Sequence, residues 1–333
     1  MLKFAESNND KAQGVGMYFL SPEEHKYVTR KLLMDARRDE VHPDLRGWNW
    51  SQPPIVTNSS VRLGVSDIAS LYCSSGRDLY LKKVVHVGFR TNALMTEGLF
   101  LHRVVREIFT LAKILLYENF RLTGKEFLSK VSEFDLLNAS KAWGFSLVNE
   151  RPNKPKLTPA MLEKAKLLWE FESTRIAYRI DDIRSRYPYC EADAFVFLVL
   201  PVVVEQRLNG SFLGLSKNLA VDGFMVSQGM VADLKFDPQK RDFHRLTTTG
   251  YAMVMESLYE IPIDLGCIVY VSFNNNEIRV SREFHHINDE LRQWFLEERD
   301  KNIRMIENEI DPGLAENCYP ECPYGDICAT HRT

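Results

Sequence analysis

The run Leu219-Ala-Val-Asp222-Gly-Phe-Met-Val226 is followed closely by Met230-Val-Ala-Asp233-Leu-Lys235-Phe236. Read as a hairpin centred on Gln228 and Gly229, these segments pair Val226 with Val231 and set Asp222 opposite Lys235. Alternation then puts Asp222, Asp233 and Lys235 on one face of the sheet. Two carboxylates beside an amine suit a hard divalent cation: Asp222, Asp233 and the Leu234 carbonyl can hold Mg²⁺ or Mn²⁺ with several waters retained. Such an ion polarises a phosphate and acidifies a bound water, while Lys235 orients that water or stabilises developing charge. Taken alone, the same residues fit a tight turn at Asp222-Gly223 and a surface salt bridge from Lys235 to Asp222 equally well.

Two flanking residues extend the group. His102 lies beside the apolar stripe of a long helix and shares a helical face with Arg106, where a neutral imidazole can be a further metal ligand. Thr247, Tyr251 and Met255 recur at intervals of four after the second acidic run, so Tyr251 can face the same cleft and hold a nucleotide. Singly, His102 also reads as polar surface and Tyr251 as a core aromatic.

Six cysteines stand at Cys73, Cys190, Cys267, Cys318, Cys322 and Cys328. The last three form a C-x3-C-x5-C run in a tail rich in Pro and Gly, where thiols are metal ligands rather than core. His331 can complete a Cys3His zinc site, which proximity favours, and Cys73 can instead supply the fourth thiolate of an iron–sulfur cluster. Cys190 and Cys267 sit in apolar surroundings and read as core. The N-terminal MLKFAESNNDKAQ carries no apolar signal core, so a cytoplasmic location and reduced thiols are expected.

The elements that must position these residues follow from caps and periodicity. Ser21-Pro22-Glu23-Glu24 opens a polar helix reaching about residue 40. Val65 to Leu81 predicts a short helix carrying Cys73, with a break near Gly76. Apolar residues at helical spacing predict the clearest helix over residues 97–120, and cap chemistry opens others at Thr123 and at Thr158-Pro159. Phe195–Leu208, Leu219–Val226 and Met230–Phe236 read as a three-stranded meander. A helix over 242–259, a strand over 267–273, a turn at Asn274-Asn275-Asn276, a strand over 277–283 and a polar helix over 288–309 complete the chain. This order predicts an α/β fold with a mixed central sheet flanked by helices. There is no internal repeat.

The 333 residues carry 42 basic and 45 acidic side chains, a net charge of −3, which excludes binding by bulk positive charge. Hydrophobic residues at 45% exclude a disordered chain, and the longest apolar run, Ala194–Val204, is interrupted by Pro201 and too short to span a bilayer. Any DNA contact must therefore be local. Arg103, Arg106, Lys240, Arg241 and Arg245, with Lys82 and Lys83, flank the acidic group in sequence and are candidate phosphate ligands. Tyr319 and Tyr324 can stack on bases of a single strand or pack around the cysteines.

His102, Asp222, Asp233-x-Lys235, and Tyr251 with Glu256 together resemble the RecB-type PD-(D/E)xK nuclease site. One cysteine before this core and three after it resemble the iron–sulfur exonucleases of CRISPR spacer acquisition, in the divergent archaeal branch of type I-A systems. The resemblance runs from about Val65 to Cys328. It implies that Cys73, Cys318, Cys322 and Cys328 hold a [4Fe–4S] cluster in place of zinc, and that His102, Asp222, Asp233 and the Leu234 carbonyl surround Mg²⁺ or Mn²⁺. It also implies cleavage of single-stranded DNA ends, trimming prespacers before the CRISPR integrase and other adaptation proteins act. A non-catalytic DNA-binding or scaffold subunit of the adaptation complex is the alternative. Thr247 replaces a glutamine, three residues separate Cys318 from Cys322 where two are usual, and Asp233 stands where glutamate is common. The expected organisation is an N-terminal extension over 1–64, a helical region over 65–190, a nuclease sheet core over 191–287 and a C-terminal helix with the cysteines over 288–333. Residues 65–333 are expected to interlock as one unit through the cluster.

Overall fold

The capping box forms as the sequence dictates: Ser21 Oγ accepts from the Glu24 N–H at 3.1 Å, and the Glu24 carboxylate accepts from the Ser21 N–H at 2.8 Å. The computed structural model describes residues 16–88, 91–147, 155–237, 239–274 and 277–330. From this cap the chain is helical to Arg38, with a π-helical turn over Val28–Leu32. The expected helix around Cys73 is split. Val65–Ala69 and Arg77–Lys83 are helical, and Cys73 lies in the turn between them, which closes on Gly76 in the left-handed region (φ +77°).

Helix α1 (Ala93–Glu118) starts at an Asn92 cap, and α2 (Pro159–Arg186) starts at Thr158-Pro159. Between them lie helices Gly124–Ser132 and Leu136–Ala142 and a two-residue parallel ladder of Ser146–Leu147 with Lys156–Leu157. The sequence reading placed a strand from Phe195, but Ala192–Val199 is a helix. From Ala194 to Val199 every side chain is apolar, so no period distinguishes helix from buried strand. Pro201 then forces Leu200 towards extended backbone (φ −122°, ψ 74°) and ends the helix.

The central sheet follows. Strands β1 (Val202–Leu208), β2 (Leu219–Met225) and β3 (Met230–Lys235) form an antiparallel meander. Helix α3 (Arg245–Tyr259) returns the chain to β4 (Leu265–Asn274), which runs parallel to β3, and β5 (Glu277–His286) closes an antiparallel edge. Strand order matches chain order, giving a mixed five-stranded sheet. Residues 275–276 of the Asn-rich turn lie outside the described residues. Helix α4 (Asp289–Glu307) is capped by Asn288.

Two cores flank the sheet. Phe100, Val104 and Ile108 of α1 and Ile176 and Ile180 of α2 pack with Met230, Ala232 and Leu234. Val231 packs with Leu246, Val254 and Met255 of α3 and Phe295 of α4. Alternation therefore turns Asp233 and Lys235, like Val231, away from the α1 core. Among the described residues no helix is long and apolar enough to cross a membrane.

Charged groups buried in these cores are mostly paired. Glu256, fully buried, accepts from Arg46 (2.9 Å), from Arg292 (2.7 and 2.9 Å) and from the Gly47 N–H (2.8 Å). Burial opposes its charge, but Arg292 and the backbone donors outweigh it and hold its carboxyl below the usual range. Glu256 is thus a structural ion-pair centre. Glu172 is different: it accepts the Met17 N–H at 2.7 Å, its Oε2 has no hydrogen-bond partner among the described residues, and burial pushes its pKa up to about 7. Folded chains then hold a proton that unfolded chains, with an ordinary value of 4.5, have lost, so stability falls as pH rises between about 4.5 and 7. Glu172→Gln is expected to remove this loss and to be more stable than wild type at pH 8 by about 1–3 kcal/mol. Urea denaturation at pH 5 and pH 8 checks it. An identical pH dependence in variant and wild type contradicts the assignment.

Candidate active site and cysteine cavity

The β2–β3 hairpin delivers the two aspartates side by side. Met225 pairs with Met230 and Gly223 with Ala232, and the turn spans Val226 to Gly229, with Gly229 at φ +58°. The register differs by two residues from the expected pairing of Val226 with Val231, so Asp222 aligns with Asp233 rather than Lys235. The ladder itself ends at Gly223 with Ala232, so it is proximity rather than continued pairing that brings Asp222 to Asp233. Asp222 Oδ2 accepts the Leu234 N–H at 2.9 Å, taking the place of a ladder bond.

His102 on α1 brings Nδ1 to 3.5 Å from Asp222 Oδ2, and the Leu234 backbone hydrogen-bonds its ring. Burial, with Lys235 nearby, lowers the His102 pKa to about 4, so the imidazole is neutral and keeps a lone pair. Burial also raises Asp222 to about 6 and moves Asp233 upward, against the pull of Lys235. Lys235 Nζ lies 2.8 Å from Asp233 Oδ2 as an ion pair, and that oxygen, buried, makes no aligned hydrogen bond. Burial opposes the Lys235 charge, but Asp233 and Asp222 outweigh it and keep the ammonium protonated. Tyr251 packs against the core of α3 and α4, and burial first, then Asp222 and Asp233, move its hydroxyl pKa upward. His102, Asp222, Asp233 and Lys235 converge beside the Leu234 backbone. The donor set of imidazole, carboxylates and a strand carbonyl fits Mg²⁺ or Mn²⁺. Among the described residues no three His, Cys, Asp or Glu side chains already close on a single ion.

The basic candidates are more committed than their spacing suggested. Lys82 and Lys83 pair with Asp67, Arg245 pairs with Glu283, and Arg106 contacts Glu205. Arg103 lies over the Trp143 ring and Lys240 over Tyr270. Arg241 stands over both Tyr72 and Tyr319, whose rings are 5.1 Å apart. Tyr324 is buried, so packing explains it.

Cys73, Cys318, Cys322 and Cys328 all line one cavity of about 930 Å³, while Cys190 and Cys267 do not. Burial raises the Cys322 pKa, and Asp78, then Cys73 and Cys328, push it the same way. Four cysteines lining one cavity have the ligand type and number that an iron–sulfur cluster takes, although no three of these thiols already close on a single ion. The tail is not all loop: Gly325–Thr330 is helical and carries Cys328. Arg77 grips Asp311 at 2.7 Å and reaches Cys328 Sγ at 3.5 Å, fastening the tail to the Cys73 segment. His331, the zinc alternative, lies outside the described residues. Phe236 also lines this cavity, and its ring stands edge-on to His102 at 5.2 Å, so one side chain separates the cavity from the candidate site.

Sequence reasoning missed three participants. Tyr18 is buried with its hydroxyl 3.3 Å from the Asp222 carbonyl, and its ring fills the space that a Cβ at Gly223 would need, 2.7 Å away. Gly223 was the only local signal. His244 joins the Tyr72 hydroxyl (3.2 Å) to the Tyr270 hydroxyl (3.1 Å) beside Lys235, and burial lowers its pKa to about 4. Glu205 sits in β1 at φ +52°.

Comparison with known proteins places this geometry in a family. The chain is 31% identical over 291 residues to the CRISPR-associated exonuclease Csa1 of Saccharolobus solfataricus, covering 86% of this chain and 92% of that protein. It is 28% identical over 289 residues to the protein of the same name from Thermoproteus tenax, covering 87% of this chain and 92% of the relative. No solved structure matches. The model of the CRISPR-associated exonuclease Csa1 family matches residues 18–331, from the buried Tyr18 past the last cysteine, and the chain belongs to that family.

Proposed function

We propose that this protein is a metal-dependent exonuclease with a PD-(D/E)xK core and a [4Fe–4S] cluster, trimming single-stranded DNA ends of prespacers during CRISPR adaptation. The observation that carries the reading is the convergence of His102, Asp222, Asp233 and Lys235 at one hairpin, in a family whose relatives are named exonucleases. His102, Asp222, Asp233 and the Leu234 carbonyl would hold Mg²⁺ or Mn²⁺, which supplies phosphate polarisation and a more acidic water. Lys235, held protonated by Asp233, would orient the attacking water and balance negative charge as the phosphorus–oxygen bond to the leaving nucleotide breaks. Tyr251 would hold the nucleotide. Cys73, Cys318, Cys322 and Cys328 would hold the cluster, and the partners would be the integrase and other adaptation proteins.

Anaerobic purification with a visible spectrum and iron count, followed by assay on end-labelled single strands with Mg²⁺ or Mn²⁺, tests the cluster and the chemistry together. About four irons per chain and shortening of the strand are expected. Iron-free protein that binds DNA without cutting it under any divalent metal overturns the reading and favours a scaffold.

A further inference from the structure

A small cavity of about 10 Å³, room for roughly one water-sized species, lies beside the hydrolytic residues. Its walls include Tyr18, His102, Arg106, Glu205, Asp222 and Leu234, but not Asp233. We propose that Glu205 is a ligand of the divalent cation in this cavity, together with His102 and Asp222, a role for which the DxK pattern gives no position. The inference rests on the metal-dependent nuclease reading and adds a carboxylate to it.

Register brings Glu205 there. Val204 pairs with Gly223 and Gln206 with Val221, so Glu205 faces Asp222 across β1 and β2, yet those two residues alone are not bridged. At that point Glu205 takes φ +52°, a left-handed conformation that a strand glutamate adopts only when its surroundings impose it. The distortion interrupts the ladder beside Asp222 and leaves Glu205 on the cavity wall. One imidazole, two carboxylates and the neighbouring Leu234 backbone then surround a volume of ionic size. Asp233, next across the sheet and 5% exposed, is already paired with Lys235 at 2.8 Å, which leaves Glu205 as the carboxylate of this cavity beside Asp222.

Arg106 gives this ligand an alternative partner. It lies one turn after His102 on α1, and its Nη1 is 3.5 Å from Glu205 Oε2, a long contact. A cation that takes Glu205 releases Arg106, whose guanidinium is then free for the phosphate of the incoming strand. Metal loading and phosphate binding are thereby coupled.

The test is calorimetric titration of full-length wild type, Glu205→Gln and Glu205→Gly with Mn²⁺, beside thermal melts and single-strand cleavage. At least a 10-fold loss of Mn²⁺ affinity is expected in both variants. Glycine adopts positive φ freely, so Glu205→Gly is expected to melt at or above the wild-type temperature while binding Mn²⁺ poorly. That variant also carries the test if Glu205→Gln fails to fold. Mn²⁺ affinity equal to wild type in the folded variants, with wild type cleaving DNA, overturns the role of Glu205 and leaves the nuclease reading standing. A wild type that neither binds Mn²⁺ nor cuts DNA overturns both.

Discussion

Asp233→Asn is expected to lower single-strand cleavage on the order of 10³-fold while the protein keeps its fold and its iron. Asparagine matches aspartate in shape, so β3 and its parallel pairing with β4 at Ile268 stay in place. What disappears is one carboxylate charge of the proposed metal site and the partner of Lys235, 2.8 Å away. The ammonium is left with Asp222, and the melting temperature should fall modestly because Lys235 remains 25% exposed to solvent. Asp233→Asn combined with Lys235→Met removes the stranded charge and should recover stability without recovering cleavage. End-labelled DNA assays with circular dichroism melts separate these effects. Wild-type rates in Asp233→Asn would remove Asp233 from the chemistry.

The second large effect concerns the cysteine cavity. Cys73→Ser is expected to abolish the visible absorption and the bound iron, and to lower the melting temperature far more than loss of a surface contact does. Without thiolate ligation the tail is fastened to the Cys73 segment by polar contacts: Arg77 with Asp311, Ser75 with the Gly313 carbonyl at 2.9 Å, and Asn92 with the Glu321 carbonyl at 2.6 Å. Such contacts contribute about 1 kcal/mol each. Ligation to a cluster couples its binding energy to folding and is the larger tie. Cys190→Ser is the control, because Cys190 packs against the α1 core and does not line the cavity. Iron content by absorption and mass spectrometry reads both variants, and equal iron loss in Cys190→Ser would contradict the assignment of ligands.

Much of this arrangement was legible in the sequence because it is encoded locally. The Ser21 capping box, the Asn288 cap, the apolar period of α1 and the alternating strands all depend on residues within a turn or two of each other. The nearness of Asp222 to Asp233 was readable for the same reason, although the register differs by two residues and the ladder ends at Gly223 with Ala232. The helix over Ala192–Val199 was not readable, since an unbroken apolar run has no period. Glu256 was drawn toward the cleft by motif resemblance, whereas Arg46 and Arg292, distant in sequence, make it a core residue. Tyr18 and Glu205 were invisible because long-range packing alone brings them to the site. A positive φ inside a strand leaves no mark in the residue type when the residue is glutamate.

The burial of Gly16 to Phe19 has a consequence in time. Arg282 donates to the carbonyls of Gly16 and Met17, the Glu172 carboxylate accepts the Met17 N–H, and Tyr18 closes on Asp222, so the first described segment is held by partners made much later. During synthesis these residues leave the ribosome long before β2 and β5 exist, and loop-closure entropy keeps them unanchored meanwhile. The candidate site therefore acquires its Tyr18 wall only after β5, with Arg282, has emerged. A nascent chain that ends before β5 lacks the Arg282 contacts that hold this segment.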